Sequence, residues 1–224
     1  MDSKLIEIYE ILLKHFGPQD WWPGDSPFEI MVGAVLTQNT NWTNVSKAID
    51  NLKQENLLSF EKLHELDVEL LAEKIRPAGY FNLKAKRLKN LLDFIDEEYD
   101  GSLEEMFTED IIGLREKILT VKGIGPETAD SILLYAGNKP VFVVDAYTHR
   151  IFSRHSIIAE DEGYYEIQEY FSLSLPEDVK LFNEYHALIV RLGKEFCKKS
   201  KPLCSQCPLN ELDGFTYPLD ILTF

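Results

Sequence analysis

Apolar residues recur at helical spacing along almost the whole chain. Leu5, Tyr9, Leu12 and Phe16 fall on one face, Leu88, Leu91, Leu92, Ile95 and Tyr99 on a second, and Leu181, Tyr185, Leu188 and Leu192 on a third. Spacings of three and four put such side chains on one stripe of an α-helix, whereas a strand would scatter them over both faces. The punctuation agrees. "SPFE" at 26–29 reads as a capping box with proline at the first helical position, and "SLEE" at 102–105 repeats the box without the proline. "RPAGY" at 76–80 and "YAGNKP" at 135–140 read as stops. Only "VFVV" at 141–144 has the look of a strand, and no second run offers it a partner. The pattern predicts an all-α chain of about ten or more helices of ordinary length.

With 224 residues, 45% of them hydrophobic, the chain can bury a sizeable core as one large domain or two small ones. No apolar run approaches the roughly 20 residues of a membrane span. "MDSKLIEIYEILLKHF" lacks the basic start and cleavage site of a signal peptide, so a cytoplasmic location is expected. The net charge of −15 argues against a nucleic-acid partner. Its distribution is uneven, however. Basic residues gather at Lys84, Lys86, Arg87 and Lys89, at His149, Arg150 and Arg154, and from Lys194 to Lys201. Each cluster is either a solvated helix face or part of a basic face that meets DNA.

"LTVKGIGPETADSILLYA" reads as two helices joined by a tight turn. The first helix ends near Val121, Gly123 and Gly125 allow positive φ, and Pro126 suits the first position of the second helix. Amides at such a turn and helix start can meet an anion, including a DNA phosphate. The same residues also make a plain αα-turn. Asp145 follows the apolar run, opens "DAYTHRIF" and is placed to cap a helix.

Hairpin, intervening helix and aspartate together resemble the endonuclease III family of helix-hairpin-helix DNA glycosylases. "VLTQNT" at 35–40 looks like that family's early helix end, "GYFNLKAKRL" at 79–88 like its wedge-loop segment, and "CKKSKPLCSQC" like its C-terminal cluster loop. The resemblance implies two helical domains with a cleft between them, over residues 21–137 and over 1–20 with 138–224. It implies that Lys122, Gly123, Ile124 and Gly125 grip the DNA backbone. Asp145 would stabilise positive charge on the sugar of an extruded nucleotide or help activate a water. Gln38 and Tyr80 would fill the gap left by the base.

Bifunctional members carry a lysine just before the threonine-alanine pair of the hairpin motif, and that amine forms a Schiff base with the sugar. Here the motif is "GIGPETA", with Glu127 at that position. The form with glutamate resembles the 3-methyladenine glycosylase branch, which releases the base and stops. "DWWPGDSPFE" at 20–29 and "LTQNTNW" at 36–42 match the same branch, so Trp21, Trp22, Pro23 and Trp42 are its base-pocket residues. Aromatic faces suit electron-poor alkylated bases. Without the resemblance, these tryptophans could equally be packing residues.

Cys197, Cys204 and Cys207 follow C-x6-C-x2-C, and Asp213 stands where the family's iron–sulfur pattern has its fourth cysteine. Three outcomes are open: a 4Fe–4S cluster with Asp213 or solvent as fourth ligand, a three-iron cluster, or a loop without metal. The expected function is hydrolytic excision of a damaged, alkylated base from double-stranded DNA by a monomeric enzyme. A bifunctional glycosylase with AP-lyase activity is the alternative within the family. A non-catalytic helix-hairpin-helix DNA-binding protein is the alternative from another class.

Overall fold

The computed structural model describes residues 3–210 and 212, and among these there are twelve α-helices and no strand. In chain order they are α1 (Ser3–Phe16), α2 (Pro27–Thr37), α3 (Trp42–Gln54), α4 (Phe60–Glu65), α5 (Val68–Lys74) and α6 (Phe81–Tyr99). They continue with α7 (Leu103–Met106), α8 (Ile111–Thr120), α9 (Pro126–Ser131), α10 (Ala146–Arg154), α11 (Tyr164–Ser174) and α12 (Val179–Glu195). A π-helical segment, Ile132–Ala136, carries α9 onward. No described helix is long and apolar enough to cross a membrane.

The chain divides into two compact units, with boundaries at Trp22/Pro23 and Lys139/Pro140. In the unit Pro23–Lys139, α2 is buried on nearly every side, from Phe28 through Leu36 apart from Ile30. A helix apolar all round belongs in the middle of a bundle, and α2 packs against α3, α6, α9 and the π segment. Its start is only half the expected box. Ser26 Oγ accepts from Glu29 N at 3.2 Å, but the Glu29 carboxylate accepts from Asp25 N and pairs with Lys53 instead. At 102–105, Ser102 caps a helix of just four residues.

Two lysines of the expected basic cluster on α6 turn inward. Lys84 is 1% exposed and donates to the carbonyls of Leu36 and Ala78, both at 2.8 Å. Burial, then the neighbouring Arg87, lowers its amine to about 8. Lys89 donates to the carbonyls of Leu63, His64 and Leu66 at the end of α4, where a cation meets the negative end of a helix.

In the other unit, α12 packs against α1 and α10. Phe142, Phe152, Phe171, Phe182 and Tyr185 are buried together, with Phe142 and Phe171 stacked at 4.4 Å. The Tyr185 hydroxyl donates to the Leu5 carbonyl at 2.8 Å and ties α12 to α1. The strand-like "VFVV" is buried extended chain, not a strand. Its backbone is served by side chains: Gln168 Nε2 donates to Phe142 O at 2.7 Å, and Val144 N donates to the Tyr164 hydroxyl at 3.5 Å. Buried main-chain groups need such partners when no neighbouring strand supplies them.

Candidate active site and hairpin

The helix α8 ends at Thr120, and α9 opens on Pro126 as expected. Between them Ile124 is buried, with its N–H donating to Val121 O at 3.0 Å, while Gly123 and Gly125 lie exposed at the tip. The two glycines differ. Gly123 has φ +97, and a Cβ there would stand 2.4 Å from Arg87 Cγ, so both conformation and space demand glycine. Gly125 is in extended backbone at φ −98 and ψ 177, not at positive φ, and a Cβ there would meet nothing within 4 Å. The tip at Gly125 is therefore open toward anything that approaches it. The carbonyl of the exposed Lys122 accepts from Asn90 Nδ2 at 2.8 Å.

The two helices of the hairpin are joined by a buried ion pair. Asp130 is 0% exposed, and Arg115 reaches it through Nε to Oδ1 at 2.7 Å and Nη2 to Oδ2 at 2.9 Å. This fork matches a carboxylate edge to edge. Glu127 is exposed in the first turn of α9. Lys139 donates to Glu109 O at 2.6 Å.

Gln38 and Arg87 belong to the same network. Gln38 Nε2 donates to Gly123 O at 3.1 Å and Thr128 Oγ1 at 3.0 Å, and Gln38 Oε1 accepts from Arg87 Nη1 at 2.5 Å. Tyr80 stands in left-handed backbone at φ 46 ahead of α6, with 71% of its surface exposed.

Pro23 and Trp42 line one pocket of about 270 Å³, with Gly24, Asp25, Glu29 and Lys53 on its walls. Lys53 bridges Asp25 and Glu29 at 2.7 Å each. Trp21 and Trp22 belong to the other unit, where their rings meet edge to face at 5.2 Å.

Asp145 is the N-cap of α10 and forms a complete capping box with Thr148. Its Oδ1 accepts from Tyr147 N at 2.9 Å, Thr148 N at 2.7 Å and Thr148 Oγ1 at 3.0 Å. Its Oδ2 lies 3.6 Å from His186 Nε2, and the Asp145 side chain is 10% exposed. Burial alone would raise the carboxyl. His186, and then the donors of Thr148, outweigh it and hold Asp145 below the ordinary aspartate range.

Cys197 is buried, and Cys204 and Cys207 are half-buried. Two arginines of α10, read from sequence as part of a basic cluster, are occupied by this loop. Arg150 Nε donates to Cys197 O at 2.9 Å. Arg154 donates to Cys197 Sγ at 3.4 Å, Lys198 O at 2.8 Å and Lys199 O at 3.0 Å. Burial and then the neighbouring thiols push Cys204 up, and burial takes Cys207 to about 11. Among the described residues, no three His, Cys, Asp or Glu side chains are grouped to hold a metal ion, and Asp213 lies outside those residues.

The structure brings Gln38 to the hairpin, and Pro23 to Trp42. It adds three features that were not read from sequence: His186 beside Asp145, Arg87 beneath Gly123, and the Arg115–Asp130 pair. The inward turn of Lys84, by contrast, has a usable trace in the sequence. Lys84 lies four residues before Leu88, on the same apolar stripe of α6.

Known proteins resemble this chain in sequence and in fold. A candidate DNA repair glycosylase of Methanocaldococcus jannaschii is 53% identical over 209 residues, covering 92% of this chain and 94% of its own. Endonuclease III of Sulfolobus acidocaldarius is 28% identical over 185 residues, covering 82% and 80%. The crystal structure of H. pylori 3-methyladenine DNA glycosylase bound to 1,N6-ethenoadenine has a TM-score of 0.73 at 34% identity, covering 85% of this chain and 97% of that one. A non-covalent endonuclease III–DNA complex shares the fold, with a TM-score of 0.81 at 22% identity and coverage of 95% and 94%. Residues 32–177 match the family model of the HhH-GPD superfamily base excision DNA repair protein. With the all-helical fold, the glycine hairpin and the capped aspartate in place, the chain belongs to the HhH-GPD superfamily and is a DNA repair glycosylase.

Proposed function

We propose that this glycosylase is monofunctional: it hydrolyses the bond between an alkylated base and its sugar in double-stranded DNA, acts as a monomer, and leaves the strand whole. The observation that carries this reading is Glu127. A carboxylate occupies the hairpin position where bifunctional relatives need an amine, and a carboxylate forms no Schiff base. The similarity to the H. pylori 3-methyladenine glycosylase supports the same branch.

Each part has a role in this reading. Lys122, Gly123, Ile124 and Gly125 present main chain to a phosphate, a contact blind to sequence. The Arg115–Asp130 pair fixes the angle between the hairpin helices. Tyr80 and Gln38 take up the space the extruded nucleotide leaves. Trp21, Trp22, Pro23 and Trp42 stack on the base, and a cationic purine gains most from their faces. As the base departs with the bonding electrons, positive charge grows on the sugar. Asp145, held ionised by His186 and then by its own cap, faces that charge and accepts a proton from the incoming water.

We also assign the cysteine loop to a 4Fe–4S cluster, held by Cys197, Cys204 and Cys207 with Asp213 or solvent as the fourth ligand. Three thiols carried on one short loop are the soft donors an iron–sulfur group requires. The cluster would hold the loop in shape; the chemistry at Asp145 makes no use of it.

The deciding experiment uses a duplex with 3-methyladenine or a related alkylated purine. Free base should appear while the strand stays intact until hot alkali is added, and borohydride should trap no protein–DNA adduct. A strong trapped adduct would show an amine at work and make the bifunctional reading the correct one.

A further inference from the structure

His186 sits in the middle of α12, is 5% exposed, and directs Nε2 toward the second oxygen of Asp145. The two carboxylate oxygens have separate surroundings. Oδ1 is taken by three donors of the cap, and Oδ2 faces the imidazole. The register between α10 and α12 is fixed elsewhere along the same stripe. A Cβ at Gly193 would come 2.2 Å from Tyr147 Cδ1, so Tyr147 lies directly on α12. Arg150 covers the Tyr147 ring at 4.8 Å and donates to Gly193 O at 3.4 Å. Gly193 follows His186 by two helical turns, which puts both on the face turned toward α10.

We propose that His186 is a positioning residue for Asp145. It holds the oxygen that the cap leaves over, so the carboxylate cannot pivot about Oδ1 as charge develops on the sugar. The contact of 3.6 Å is an ion-pair distance rather than a hydrogen bond. Such contacts shorten when substrate closes the site. The inference rests on the assignment of Asp145 to the reacting sugar, and its test separates the two.

The test uses the full chain with His186→Ala, His186→Gln, Asp145→Asn and the double variant His186→Ala/Asp145→Asn. Affinity for undamaged duplex and single-turnover base release from alkylated duplex are measured for each. His186→Ala should bind undamaged DNA as the parent does and release base roughly 10- to 100-fold more slowly, as expected of a misaligned catalytic group. His186→Gln, which keeps a donor, should recover part of the rate. In the Asp145→Asn background, removing the imidazole should cost nothing further, because the partner it positions is already disabled. Where the alanine variant fails to fold, His186→Phe restores the volume without a donor and carries the same expectation. A parental rate in the donor-free variant, or losses that multiply in the double variant, would overturn the role of His186 alone. A parental rate in Asp145→Asn would overturn the assignment of Asp145 itself.

Discussion

Replacing Arg115 by leucine should damage the hairpin from within. Asp130 is fully buried and receives two hydrogen bonds from one guanidinium, at 2.7 and 2.9 Å. Arg115 is itself only 20% exposed, so little water can take its place. Removing one partner of a buried pair leaves a charge in a poor solvent and costs about 3–5 kcal/mol. In a chain of this size each kcal/mol moves Tm by roughly 2–4 °C, so the loss should be on the order of 10 °C. The assay is thermal unfolding followed by circular dichroism, alongside duplex affinity by fluorescence anisotropy. Affinity for damaged and undamaged DNA should fall together, since the proposed contact of the hairpin is with backbone. The double variant Arg115→Leu/Asp130→Leu should regain most of the stability, because replacing both charges by apolar groups is often neutral. A Tm shift under about 2 °C, or a double variant no better than the single, would refute the argument that the pair holds the hairpin together.

Gly123→Ala should lower affinity for damaged and undamaged duplex alike. A residue with a side chain is strained at φ +97 by about 1–3 kcal/mol, and its Cβ meets Arg87; anisotropy titrations on both duplexes check this. Burial, then Lys4 and Arg154, lowers His155 to about 4, below its unfolded value of about 6.5. The unfolded state therefore binds the proton first, so stability should be full above pH ~6.5 and decline as pH falls toward 4, by roughly 3 kcal/mol. Urea titrations across that range should show the slope, and His155→Leu should flatten it. Protein purified without oxygen should be brown and contain iron, and Cys204→Ser should lose the colour and unfold at a lower temperature. Iron-free anaerobic protein with full activity would dismiss the cluster.

The helices were legible because their stripes and stops are local. Asp145 as a cap and Pro126 as a helix start needed only neighbouring residues. What escaped was set by partners distant in sequence. Nothing near His186 points to Asp145; the helix α12 brings them together by its register on α10. By charge Lys84 groups with Lys86 and Arg87, but by periodicity it belongs to the apolar stripe. Its stripe includes Leu88, Leu91 and Ile95, and that stripe faces inward. Arg150 and Arg154 lie one turn apart, so both reach the same cysteine loop. Gly125 was treated like Gly123, although only Gly123 has Arg87 behind it.

Those inward cations bear on the acidic balance of the chain. Lys84 and Lys89 serve helix ends, and Arg150 and Arg154 serve the cysteine loop, so in the proposed function phosphate recognition would lean on the main chain of the hairpin more than on these side chains. The same economy governs Asp145. Helix capping and sugar stabilisation look like competing explanations for one aspartate, but in the proposed function they are a single arrangement. The donors of Tyr147 and Thr148 that start α10 also bind the charged form of the carboxylate. Burial would otherwise neutralise it, and a neutral acid could neither face a cationic sugar nor accept a proton from water. His186 and then the cap are therefore the means by which a nearly buried aspartate stays ionised: the imidazole that faces Oδ2 leads, and the donors of Thr148 add to it.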